Sequence, residues 1–308
     1  MKLENLKWGD LKPLSRRYLL IVFVIIIFGP LAVCCTASEG YKVEKIASGY
    51  QFTEGPVWTP WGTLLFSDIP ANRIYEIGNG QKIYREPSGQ SNGLTFDLQG
   101  RLIACEHANR RVTRTEKNGS ITVLADSYQG KRLNSPNDVV VKSDGSIYFT
   151  DPPYGVDEKD RELDFQGVYR ITPKGKLELL IKDFKMPNGL CFSPDEKFLY
   201  IADSSNLRHI RVFDVLKDGT LANGRVFAKV GQGGVPDGMK VDLKGNLYVT
   251  GPGGVWVFDP SGKHIDTIET PETPANCAWG DKDGKTLYIT ARTSVYKVRL
   301  DVGGRPGR

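Results

Sequence analysis

Histidine and cysteine are scarce in this chain, three and five in 308 residues. The three histidines are scattered and the cysteines lack metal-ligand spacing, which argues against a His-rich zinc or copper centre. Cys34 and Cys35 lie in an apolar N-terminal run, leaving Cys105, Cys191 and Cys277. An odd number of thiols in strand-like stretches reads as buried core residues, not a disulfide framework. A chain of this length buries a full core without disulfides or a structural metal. Strong charge of one sign is also missing: the formal net charge is +5, with Lys and Arg spread through turns. That leaves no electrostatic footprint for nucleic acid. Glycine, by contrast, is plentiful at 34 residues, as a protein with many tight turns requires.

The first residues differ from the rest. A mixed-charge stretch ends in Ser15-Arg16-Arg17, and an apolar run follows from Tyr18 to about Cys35. A basic flank with an apolar centre is the layout of an export signal. Ser15-Arg16-Arg17-Tyr18-Leu19-Leu20 resembles a twin-arginine motif, which implies export after folding. We assign 1–37 as an export signal and expect a periplasmic or secreted protein, with an uncleaved membrane anchor as the alternative. The run is near the lower limit for a span, and Gly29-Pro30 interrupts it. Membrane contact is expected only through this segment, if it is retained.

Residues 38–308 carry a repeat. Segments open at Glu54, Asn92, Asn137, Asn188, Asp237 and Asn276, at spacings of 38, 45, 51, 49 and 39 by subtraction. Each opening leads into a short apolar strand, a turn such as Ser143-Asp144-Gly145, and a second strand such as Leu247-Tyr248-Val249. A third alternating strand and, in five copies, a fourth complete the unit. The sixth copy ends near Leu300 with three strands. The missing strand is available at the other end, from Tyr41 to Ala47. The expected fold is therefore all-β, a six-bladed β-propeller with four antiparallel strands per blade, its last blade closed by the N-terminal strand.

In a propeller the first strand of each blade lines the central channel, so the six opening residues share one mouth. All six carry a side-chain oxygen. Any single Asn-Gly or Asp-Gly reads as a turn residue; six in one phase ask for more. A ring of carboxylates and amides suits a hard divalent cation. Calcium is the first expectation, with magnesium, manganese or zinc as alternatives. Glu54 and Asp237 would neutralise it. Asp68, Glu106, Asp151 and Asp203 end the second strands at the same mouth, as support for the site or as turn residues. His107 and Arg110, beside Glu106, face a substrate or a solvated strand end.

Thr53-Glu54-Gly55-Pro56-Val57-Trp58, Cys105 to Val112, Asn134-Ser135-Pro136-Asn137-Asp138, Phe149 to Gly155, Pro187-Asn188-Gly189 and Pro236-Asp237-Gly238 together resemble the SMP-30, gluconolactonase and luciferin-regenerating enzyme family. The resemblance covers roughly residues 41 to 300. It implies a six-bladed propeller with one divalent metal bound by Glu54, Asn188 and Asp237. It also implies that Asn137 contacts the metal's water or the substrate. Asp151, in Thr150-Asp151-Pro152-Pro153-Tyr154-Gly155, looks like a gluconolactonase-type feature. His107 and Asn134 complete the expected substrate contacts. Ser135 stands where some relatives carry an arginine, with Arg132 as a replacement.

The implied activity is metal-dependent hydrolysis of a lactone, a sugar lactone first. A cation would polarise the carbonyl and acidify water, and Asp237 would serve as catalytic base, with Asp203 or Asp151 as substitutes. The rivals are a metal-dependent esterase or phosphotriesterase on the same site, and a non-catalytic propeller that binds a ligand or protein. The charge-rich insert at 153–166 is a candidate lid.

Overall fold

The computed structural model describes residues 40–307. The expected export signal or anchor at 1–37 lies outside the described residues. Among the described residues no helix is long and apolar enough to cross a membrane.

Six four-stranded antiparallel sheets follow one another along the chain. Blade 1 is Thr53–Trp58, Leu64–Asp68, Arg73–Gly78 and Gly80–Arg85. Blade 2 is Ser91–Phe96, Leu102–Glu106, Arg111–Thr115 and Ile121–Ala125. Blade 3 is Val139–Val141, Ile147–Asp151, Gln166–Ile171 and Leu177–Phe184. Blade 4 is Pro187–Phe192, Phe198–Asp203, His209–Val215 and Leu221–Lys229. Blade 5 is Met239–Val241, Leu247–Gly251, Gly254–Phe258 and His264–Glu269. Blade 6 takes Pro274–Gly280, Thr286–Ala291 and Ser294–Arg299 from the C-terminal end and Glu44–Ser48 from the N-terminal end. The propeller read from the repeat is therefore the fold observed, including its closure: Lys45 pairs with Tyr296 and Ser48 with Ser294.

The core lies between blades. Strands alternate inward and outward residues, and each sheet packs its face on the next. Val57, Leu65 and Ile74 of blade 1 meet Leu94, Phe96 and Leu102 of blade 2. Ile103 and Cys105 of blade 2 meet Phe149 and Tyr169 of blade 3. At the join, Leu64 and Phe66 of blade 1 pack with Tyr288 and Val295 of blade 6, and Trp58 stacks on Tyr288 at 5.2 Å. Cys105, Cys191 and Cys277 are free and buried, as the sequence indicated. The described residues thus form one ring whose axis is lined by the six first strands.

Candidate metal centre and substrate mouth

Each blade breaks its ladder where its opening residue stands. Register shifts fall between Glu54 and Val57, Ser91 and Leu94, Pro187 and Leu190, and Pro274 and Asn276. A bulge of this kind re-aims a side chain that a regular strand would direct into the sheet packing. In blades 3 and 5 the regular strand starts only at Val139 and Met239. There Asn137 and Asp237 are held by N–H donation to Thr150 O at 2.8 Å and Thr250 O at 3.0 Å. Glu54, Asn92, Asn137, Asn188 and Asn276 are buried; Asp237 keeps part of its surface open to the mouth.

The glycine that follows most opening residues is not there for a reverse turn. A Cβ on Gly55 would lie 1.9 Å from Asn92 O, and one on Gly189 would lie 2.2 Å from Asp237 O. Its purpose is close approach: the carbonyl of the next blade occupies the space of a side chain. Hydroxyls join the same blades from behind, Ser67 donating to Asn92 O and Thr150 to Asn188 O, both at 2.8 Å. The opening residues therefore sit on backbone fixed from two sides.

Blade 3 departs from this pattern, with Asp138 where its neighbours have glycine. The Asp138 carboxylate is buried and accepts from Val139 N at 2.9 Å. Burial pushes it up, and Lys240 opposes that shift. Glu54 accepts from Gly55 N at 2.6 Å and from Asn276 Nδ2 at 3.0 Å. Burial raises its carboxyl, Asp138 raises it further, and Lys240 pulls it down. Asp237 is pushed well up by desolvation, by Glu54 and by Asp138, while the Asn188 amide beside it acts the other way. Three carboxyls thus share one low-dielectric throat, with Lys240 acting on Glu54 and Asp138, and each favours its neutral form until a cation is there to stabilise the charged one. Asn92 Oδ1 is also buried without a hydrogen-bond partner. Among the described residues no three His, Cys, Asp or Glu side chains form a ready metal cage. The donor set here is two carboxylates with amide oxygens, and its charge and hardness fit a divalent cation.

Asp68, Asp151 and Asp203 share one task. Each accepts backbone N–H groups from the residues three and two places before its blade's opening residue. Asp68 takes Gln51 and Phe52 at 3.1 and 3.0 Å; Asp151 takes Asn134 and Ser135, both at 2.8 Å; Asp203 takes Lys185 and Met186 at 3.1 and 3.2 Å. They fix the segments that deliver Glu54, Asn137 and Asn188. Glu106 does otherwise: fully buried, it joins Arg85, Arg111, Asn109 and Thr113.

The expected substrate contacts divide. Asn137 is in the ring. His107 is buried beneath the rim with Nε2 3.3 Å from Asn92 Nδ2, and burial pushes it down to about 4, so it is neutral at pH 7. Asn134 and Asp151 have no exposed surface, and Asn134 Nδ2 donates to Asp151 O and Phe165 O. Both therefore hold the segment that delivers Asn137. Arg132 is exposed, its guanidinium donating to Asn109 O at 3.2 Å. Arg110 is likewise committed to carbonyls, of Leu133, Asn134 and Asp160.

The link between the second and third strands of blade 3 runs from 152 to 165, fourteen residues, against four, four, five, two and two in blades 1, 2, 4, 5 and 6. It carries one 3-10 turn, Glu158–Asp160. Gly155 N donates to Ser135 Oγ at 3.0 Å. Tyr154 reaches the other side of the mouth, where its hydroxyl lies 3.5 Å from Asn188 Nδ2. Asp138, Lys240 and Tyr154 were not identified from the sequence. The signal for Asp138 was available, a carboxylate in a column of glycines; the other two had none.

The family model described as SMP-30/Gluconolactonase/LRE-like region matches residues 52–293. A gluconolactonase of Zymomonas mobilis is 38% identical over 293 residues, covering 85% of this chain and 82% of the relative. The structure of a gluconolactonase from Xanthomonas campestris superposes with a TM-score of 0.78 at 36% identity, over 84% of this chain and 89% of that one. A calcium-binding regucalcin from Agrobacterium tumefaciens shares the fold with a TM-score of 0.75 at 21% identity, over 87% and 97%. The chain belongs to the SMP-30/gluconolactonase/LRE-like family.

Proposed function

We propose that this chain is a lactonase-type hydrolase that opens a sugar lactone in the throat formed by Glu54, Asn188 and Asp237. The observation that carries the metal-dependent reading is the make-up of that throat: the carboxyls of Glu54, Asp138 and Asp237 stand close enough that Asp138 raises Glu54 and both raise Asp237, with Asn188 beside Asp237 and Asn92 Oδ1 buried without a partner. The relatives named gluconolactonase supply the substrate class.

Bound by Glu54, Asn188 and Asp237, a divalent cation, calcium first, would supply Lewis acidity toward the lactone carbonyl and toward water. The chain's own groups do the rest. Glu54 is immobilised by Gly55 N and Asn276, which fix the direction of its carboxyl. Asn137 presents an amide to the carbonyl or to the attacking water. Asp237, open to the mouth, takes the water's proton and returns it to the ring oxygen as the acyl C–O bond breaks. Because Asp68, Asp151 and Asp203 hold the backbone that delivers Glu54, Asn137 and Asn188, these three need little rearrangement in the transition state.

The test is gluconolactone opening by protein stripped of metal with a chelator and then restored with calcium. Activity should vanish and return. Glu54→Gln and Asp237→Asn should each lower kcat/KM at least about 100-fold. Full activity in both variants, or in metal-free protein, would refute the assignment.

A further inference from the structure

Tyr154 combines two properties seldom found together: a tethered hydroxyl and an open ring. Its hydroxyl stands 3.5 Å from Asn188 Nδ2, on the side of the mouth where Ser204 lies. Ser204 itself donates to the carbonyl of Pro236, the residue before Asp237. Yet Tyr154 is 47% exposed, the most exposed aromatic at this mouth. It leaves blade 3 and ends over the residues of blades 4 and 5 that form the throat. The near side of its segment is pinned: a Cβ on Gly155 would fall 2.5 Å from Ser135 Oγ and 2.9 Å from His107 Cβ. Pro152 and Pro153 stiffen the step between Asp151 and the tyrosine. The corresponding links of the other blades have five residues or fewer.

An exposed aromatic ring whose hydroxyl reaches a residue of a polar throat suits a ligand that has both a C–H face and hydroxyls. A sugar lactone is such a ligand. We propose that Tyr154 is a specificity-determining residue, its ring packing on the C–H face of a cyclic, hydroxylated lactone whose carbonyl points down toward Glu54 and Asp237. This inference rests on the lactonase reading above. The aromatic face favours a ring over an extended chain, because a flat six-membered ring covers it and a small acyclic ester does not.

The experiment compares wild type, Tyr154→Ala and Tyr154→Phe on gluconolactone and on methyl acetate, with calcium titrated calorimetrically into each metal-free protein. In Tyr154→Ala, KM for gluconolactone should rise about three- to tenfold, the effect of one aromatic face, with kcat changed less than about threefold. Selectivity for the lactone over the ester should fall by the same factor. Tyr154→Phe keeps the ring and should hold KM within about twofold of wild type. Calcium affinity should be alike in all three proteins. Unchanged KM in Tyr154→Ala, equal loss in Tyr154→Phe, or lost calcium binding in Tyr154→Ala would each overturn the proposal. A wild-type protein that opens no lactone would instead refute the parent reading, and this inference with it.

Discussion

Asp151→Ala should be one of the more damaging single substitutions in the ring, and its cost should depend on pH in a defined direction. The carboxyl accepts from Asn134 N and Ser135 N at 2.8 Å, and both donor residues have no exposed surface. No water reaches them in a folded variant, so two backbone donors are left unpaired. At about 1–3 kcal/mol for each orphaned donor, with a small cavity added, the loss comes to roughly 3–5 kcal/mol. Burial pushes the Asp151 carboxyl from 3.8 up to about 7 in the folded protein. A raised acid stabilises the fold fully below its unfolded pKa, and that contribution is lost as pH rises through the folded value. Between pH 4 and pH 8 the wild type should therefore surrender up to about 4 kcal/mol that the variant never had. The gap between the two proteins should be widest near pH 4–5 and close toward pH 8. Urea unfolding of both, at half-unit pH steps, measures it. A gap that is flat, or that grows with pH, would refute the reasoning. Asp203→Ala is the control with a smaller effect, because Lys185 is exposed and water can replace the lost acceptor there.

Glu106→Gln should cost about 3–5 kcal/mol, since it leaves the Arg85 and Arg111 guanidiniums around a neutral group. Burial alone would raise Glu106, but Asn109, Arg111, Arg85 and Thr113 together hold it below the usual range. Its contribution should accordingly be lost as pH falls below about 4.5, visible as a steeper acid limb in wild type than in the variant. Gly189→Ala places a methyl against backbone with nothing flexible to yield, 2.2 Å from Asp237 O and 2.7 Å from Gly238 Cα. Lactone turnover should drop at least about tenfold and the melting temperature should fall, both read on the purified variant. Deleting the chain through Ser48 exposes Ser294–Arg299 as an edge. Such protein should associate in light scattering at concentrations where wild type is monodisperse.

The propeller was legible because each blade repeats an oxygen-bearing opener, a turn, with glycine in five of the six, and an apolar second strand that carries tyrosine in four, as in Leu199-Tyr200-Ile201 and Leu287-Tyr288-Ile289. The closing strand was legible by subtraction, three strands at one end and a spare at the other. Side-chain direction was not. Asp151 and Asn134 sit in a motif that reads as substrate-facing, yet backbone donors and carbonyls consume them. Asp138 was overlooked because glycine at that place suggests a turn, whereas the constraint is a neighbouring blade's carbonyl and an acid can stand there only by aiming elsewhere. Tyr154 lies in an insert with no period to place it. Its position follows from the bond of Gly155 N to Ser135 and from its own contact with Asn188, partners distant in sequence and invisible to any local pattern.

The pairing of Lys45 with Tyr296 sets the order of events during synthesis. When the first strand leaves the ribosome its mate has not been made, and it must wait through five complete sheets before the last hairpin emerges. Contacts this distant in sequence form slowly, so the wheel cannot lock while the chain is still growing. Until then Glu54 and Asp237 are not held on a closed rim, and any chain cut short before Ser294 should be catalytically dead however well its earlier sheets have folded.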